Sequence, residues 1–156
     1  MEKTELYEAF FQESNRYYLE QLNYYENGRK FRFSYSSLIC GVFWFLYRKM
    51  YLEFFIILTL FYVESIFENL VLAQLIGIEE TKFFSFVVNI VLLIAMGIIG
   101  NNLYIKKAKR MIEKAQMIFT NLDQQKDFLA KKGGTSFLYV IIAFALFVLV
   151  TLLLAK

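Results

Sequence analysis

Three carboxylates within one apolar run are the residues best suited to chemistry: Glu53, Glu64 and Glu68. On a helix turning 100° per residue, Glu64 falls about 20° and Glu68 about 60° from Glu53, so the three share a face. Glu53 opens the run beside Arg48 and Lys49, Glu64 lies near its middle, and Glu68 follows one turn later. An acid at such depth in a bilayer is costly, so it faces a bundle interior or water. No lysine or arginine lies at matching depth in the other apolar runs, which leaves Asn69, Gln74 and Asn89 as polar partners. Glu64, Glu68 and Asn89 are therefore the expected intramembrane polar contact. Three uses stay open: a cation or proton path, a contact with another protein, or no special role, with a protonated carboxyl hydrogen-bonded inside its own bundle or a span shifted so that Glu68 reaches water.

Those acids need helices to hold them, and the composition indicates the solvent. Of 156 residues, 58% are hydrophobic and 19% aromatic. Soluble domains hold about 45–50% apolar residues, and the excess here is concentrated in runs. The expected fold is all-α: an integral membrane protein with three transmembrane helices, a short interfacial or re-entrant helix, and cytoplasmic amphipathic helices. Residues 1–32 hold the first amphipathic helix, over 4–27. Tyr7, Phe11, Ser14, Tyr18, Leu22 and Tyr25 recur on one face, to pack on protein or lie on lipid. Residues 33–105 hold the short segment Phe33–Tyr47 and two spans, Tyr51–Ile76 and Phe83–Ile105, joined by the polar loop GIEETK. As a helix, 33–47 reaches roughly 22 Å, short of a hydrocarbon core of about 30 Å. Residues 106–134 form a basic amphipathic helix broken at Gly133-Gly134. Residues 135–156 hold the third span, opened by Thr135 or Ser136 and running to about Ala155.

Charge sets the orientation through the positive-inside bias. With the N-terminal region and 106–132 in the cytoplasm, fifteen basic residues lie inside, and only Lys82 and Lys156 outside. If 33–47 also crossed, the split would fall to ten against seven, so a segment that does not cross is preferred. The N-terminus is then cytoplasmic and the C-terminus outside, in a multi-pass membrane protein. The first twenty residues lack the basic start and apolar run of a signal peptide.

The block Trp44-Phe45-Leu46-Tyr47-Arg48-Lys49-Met50-Tyr51, leading into a hydrophobic helix, resembles the DUF2628 family of small bacterial membrane proteins. Phe33, Gly41 and Phe43 fit the approach to it, and Gly100-Asn101-Asn102-Leu103-Tyr104 looks like the family's later region. The resemblance covers roughly residues 25–110. Where family members carry Asn-Trp and Gly-Pro, this chain has Ser34-Tyr35 and Gly41-Val42, so the proline that would bend the approach is missing. The resemblance implies an integral membrane protein and lends no biochemical activity. Read from the residues themselves, Trp44, Tyr47 and Tyr51 with Arg48 and Lys49 form an interfacial anchor, rings at the headgroups and cations on lipid phosphate.

With no histidine and a single cysteine, Cys40, the chain lacks the makings of His- or Cys-based metal sites, Cys-His pairs and intramolecular disulfides. No phosphate-binding loop, nucleophile elbow or zinc-protease motif occurs. No catalytic residue, metal or cofactor is expected. The basic 106–132 stretch carries no nucleic-acid recognition motif; its expected partner is the bilayer with anionic lipid headgroups. The leading functional expectation is a non-enzymatic membrane protein acting by association, as a homo-oligomer or an accessory subunit of another membrane protein. The alternative is a small channel, carrier or membrane-permeabilising effector whose carboxylates line a cation or proton path.

Overall fold

The structure, a computed structural model, describes residues 2–29 and 32–154. Lys30, Ala155 and Lys156, which enter the charge split and the end of the last helix, lie outside the described residues. Among the described residues every regular element is helical.

Two helices replace the single one expected over 4–27. Helix α1 (Glu2–Phe11) and α2 (Asn15–Glu26) are joined by a 3-10 turn at Gln12–Ser14. Gln12 takes a left-handed φ of 53°, an unusual conformation for a residue with a Cβ. It is tied there by its side chain, whose Nε2 donates to Ala130 O at 2.6 Å. The aromatic stripe survives the break: Tyr7, Phe11, Tyr18 and Leu22 are buried against protein.

Residues 33–47 also divide in two, α3 (Tyr35–Cys40) and α4 (Val42–Tyr47). Each is about 9 Å long at 1.5 Å per residue, far too short to cross a bilayer. Gly41 makes the bend with φ 52° and ψ −135°, a backbone that residues with a Cβ resist. The turn that proline could assist is thus made by glycine alone. Ser34 caps α3 by accepting from Ser37 N at 3.2 Å. Helix α3 rests on the middle of a later helix, with Ser34 N donating to Gly97 O at 2.7 Å and Ser37 Oγ to Met96 O at 2.9 Å.

Helix α5 (Tyr51–Phe67), a π-turn (Glu68–Leu72) and α6 (Ala73–Ile76) make one continuous run. The expected polar loop shrinks to Gly77, because α7 (Ile78–Ile118) begins at once. Thr81 secures that turn by donating through both N and Oγ1 to Gly77 O, at 3.2 and 2.7 Å. Helix α7 has 41 residues, hence a length of about 60 Å. It takes up the first half of the basic stretch expected as a separate helix. The second half folds back as α8 (Leu122–Lys132), started by Asn121, whose side chain accepts from Asp123 N at 2.8 Å. Helix α9 (Phe137–Leu154) follows.

Three helical stretches are long and apolar enough to cross a membrane, namely Tyr51–Ile76, Ile78–Ile118 and the last one, ending in α9. They bury little of themselves: 6%, 17% and 0% of their most apolar windows. The core lies elsewhere, at the basic end, where Phe10, Phe11, Tyr18, Trp44, Phe45, Tyr104, Ala108 and Leu129 are all buried. The most hydrophobic segments are therefore the most exposed, the reverse of a fold solvated by water on all sides.

Val42 occupies the first position of α4, where a backbone N–H has no intrahelical acceptor and proline is well accommodated. Val42→Pro should be neutral or raise stability by up to about 1 kcal/mol through the unfolded chain. Thermal unfolding in mild detergent, followed by Trp44 emission, checks this; a drop of several degrees would refute the N1 assignment.

Candidate functional site

Two polar constellations interrupt the apolar structure. The first is the carboxyl patch on the hairpin of α5 and α7. Glu64 and Glu68 lie one turn apart with their carboxyls adjoining. Glu68 opens the π-turn and is buried, with 7% of its surface exposed. A π-turn inserts an extra residue into the helical register, an arrangement common at functional sites. Glu68 Oε2 accepts from Ser85 Oγ of α7. Asn89, expected as the partner, donates instead to Ser85 O of its own helix at 2.8 Å. Asn69 likewise donates to Ser65 O at 2.7 Å, and Gln74 is exposed. Ser85 stands one turn before Asn89 on the same face, so the face was legible and the residue was not. Glu64 Oε1 and Glu68 Oε1 are buried and receive no donor. A cavity of about 390 Å³ adjoins Glu68, bordered by Asn69, Thr81, Lys82 and Ser85. Lys82 Nζ is held by Glu79 at 2.7 Å.

The second constellation surrounds Arg48. Helix α4 ends in a Schellman motif: Lys49 N donates to Leu46 O at 3.0 Å and Met50 N to Phe45 O at 2.8 Å. Lys49 takes the left-handed position at φ 56°, where glycine is usual. Met50 and Phe45, the apolar pair that accompanies such a turn, are 1% and 0% exposed. The Arg48-Lys49-Met50 sequence thus acts first as a helix stop, which swings the chain into α5. Lys107 Nζ of α7 completes it by donating to Arg48 O at 3.1 Å and Lys49 O at 2.9 Å.

This turn points Arg48 into the protein. Its guanidinium lies 4.8, 5.4 and 5.2 Å from the ring centres of Tyr18, Tyr47 and Tyr104. Both Nη atoms donate to Ser14 Oγ at 3.3 Å, while Nε is buried without an acceptor. None of the ion pairs among the described residues includes Arg48. Burial pushes the Tyr18 phenol well above its ordinary range, so that ring stays neutral beside the cation. The negative faces of the three rings hold the cation, an attraction worth about 2 kcal/mol or more once water is removed.

Of the residues expected at the headgroups, Trp44 and Arg48 face protein, with 2% and 8% exposure. Trp44 Nε1 donates to Ser36 Oγ at 3.1 Å. Tyr47 lies against Phe137, ring centres 4.7 Å apart. Lys49 Nζ donates to Lys131 O at 3.2 Å, and burial holds its ammonium below the usual lysine range. Tyr51 alone of the five stays on an open surface, against Tyr139 at 5.1 Å. Sequence reading missed Tyr104 and Lys107 as members of this site, and Ser14 as an arginine ligand. The signal for Ser14 was its hydroxyl on an otherwise aromatic stripe.

Lys107→Met should lower stability, since it strands two carbonyls that each cost about 1–3 kcal/mol when buried without a donor. Lys106→Met, on the exposed side of the same turn, should leave the melting temperature unchanged. Equal melting of the two variants in mild detergent would remove Lys107 from the turn.

Residues 7–110 match the family described as "Protein of unknown function (DUF2628)". That is two thirds of the chain, and the chain belongs to this family. No curated protein and no solved structure matches it. The matched stretch encloses the carboxyl patch and the whole Arg48 cage, and it stops before α8 and α9.

Proposed function

We propose that this DUF2628 member crosses a bacterial inner membrane three times, N-terminus inside and C-terminus outside, and acts without catalysis by associating within the bilayer. It would do so as a homo-oligomer or as a small subunit of another membrane protein. The orientation is supported by the split of basic residues, fifteen against two. The single observation that carries the association is the adjoining carboxyl pair of Glu64 and Glu68, in which one buried oxygen of each receives no donor from the other described residues. Buried acceptors without donors are unfavourable; a proton shared between the two carboxyls satisfies one oxygen, and a donor from a neighbouring chain would relieve the other. Interhelical hydrogen bonds in membranes contribute about 1–2 kcal/mol each in model peptides.

A path for ions needs polar lining along the whole span. On the basic side of Glu64, α5 and α7 instead face each other across a small void of about 90 Å³, an apolar layer lined by residues that include Ile57, Phe61, Leu92 and Met96. This layer favours association over transport. The double variant Glu64→Gln/Glu68→Gln should weaken the assembly by about tenfold, one such hydrogen bond. Native mass spectrometry from mild detergent reads this as loss of the oligomer or of a co-purified partner. An unchanged mass would sink the reading.

The cavity beside Glu68 is the observation that favours a second reading, an acid-lined route for a cation or proton. Liposomes holding the wild-type protein should then leak protons or potassium, and the Glu68→Gln variant should lose most of that flux. Flux indistinguishable from empty liposomes at every pH tested would rule the route out.

A further inference from the structure

A groove of about 550 Å³ opens between α5 and α9 at the basic end. Leu46, Phe54 and Leu58 form one wall, and Ile142, Ala143 and Leu146 the other. Its size falls within the roughly 300–1,000 Å³ of small-molecule sites. From Tyr51 to Leu58, and from Tyr139 to Leu146, the walls extend about 10 Å along each helix. The mouth is marked by the Tyr51–Tyr139 ring pair. Lys49 precedes Tyr51 by two residues, and its carbonyl receives Lys107 Nζ. Lys107 Nζ sits on the carbonyls of Arg48 and Lys49, and Lys49 Nζ donates to Lys131 O at 3.2 Å, next to Lys132, so the three lysines gather at one turn. The one acid acting there, Glu53, is engaged by Arg110 at 3.6 Å. An apolar slot thus ends at a cluster of cations in excess over acid.

We propose that this groove is a binding site for an anionic glycerophospholipid of the cytoplasmic leaflet, an acyl chain between α5 and α9 and the phosphate on the Lys49–Lys107–Lys132 cluster. The inference rests on the three-span orientation proposed above. Charge decides between a lipid and a second copy of the chain. A second copy would bring its own basic end to this cluster, placing like charges together. An amphiphile with an anionic head complements both the slot and its mouth.

The test titrates the full chain in mild detergent with phosphatidylglycerol, or with phosphatidylcholine of the same acyl chains, and reads the first bound lipid by native mass spectrometry. Each basic residue near an anionic surface contributes about 1 kcal/mol, so Lys49→Gln/Lys132→Gln should weaken phosphatidylglycerol binding about thirtyfold. Phosphatidylcholine binding should not change. Ala143→Trp fills the slot and should weaken both lipids while Trp44 stays buried, as reported by iodide quenching corrected with the Trp44→Phe form. Lys132→Gln alone, at an exposed position, gives a smaller loss of the same sign should the double variant not fold. Equal affinity for the two lipids in the wild type would overturn the proposal. So would a first bound phosphatidylglycerol indifferent to Ala143→Trp, or a change of oligomeric mass in that variant, which would put a second copy in the groove. Release of the chain from vesicles by alkaline carbonate would sink the spanning reading and the groove with it. Retention in vesicles with no lipid preference would sink the groove alone.

Discussion

A cation held by three tyrosine faces and a serine hydroxyl, with no carboxylate opposite, organises the basic end of this protein. Arg48 draws Ser14 and Tyr18 from the N-terminal helices, Tyr47 from its own helix and Tyr104 from α7. Lys107 reaches the same turn from the other side and holds its carbonyls. The start of α9 is fastened there too, since Ser136 N donates to Tyr47 O at 2.8 Å. Segments far apart in sequence therefore meet at one short turn. An arginine suits this place better than a lysine, because its planar group stacks on rings and donates from both ends at once.

The two ends of the molecule are packed differently. At the basic end, aromatic rings pack on one another: Tyr18 and Tyr104 centres are 4.7 Å apart, and Phe11 and Tyr18 5.2 Å. Water-excluded area drives such packing. At the other end the helices bear leucine, isoleucine and phenylalanine on nearly all sides, and they touch one another sparsely. In the membrane placement proposed above, lipid as apolar as those side chains would give them no reason to close up. Polar contacts carry more weight in such surroundings, which is why a single serine hydroxyl on Glu68 is a notable part of the hairpin.

Much of this was legible in the chain. The stripe from Tyr7 to Tyr25 announced a buried face, and the long apolar runs announced the spanning-length helices. The paired acids on one face of α5 could be read from their spacing. What could not be read was whatever depends on two distant segments meeting. Nothing local says that Arg48 turns inward, because an Arg-Lys pair beside aromatics serves equally well at a lipid surface; Tyr104 and Tyr18 decide it from 56 and 30 positions away. The break at Gln12 was invisible for the same reason, as its left-handed backbone is tied to Ala130. Periodicity also joined 106–118 to 122–132, since a three-residue reversal at 119–121 barely disturbs a helical pattern.

Helix α7 has a mechanical consequence. It runs unbroken from Gly77 to Phe119, with no proline anywhere in the chain to soften it. Sharp kinks come at prolines, glycine or serine pairs, π-turns or inserted side chains; the π-turn here lies in the neighbouring run, and the two glycines within α7, Gly97 and Gly100, are covered by Phe33, Ser37 and Trp44. In the orientation proposed above, half of this rod sits among lipid chains and half stands among the aromatic core. Membranes of different thickness change the tilt of the helices they hold. A tilt of about 10° swings the far end of a rod of about 60 Å through roughly 10 Å. A close-packed aromatic end yields little to such a swing, so in this placement it would move as a body, and bilayer thickness would be converted into its position.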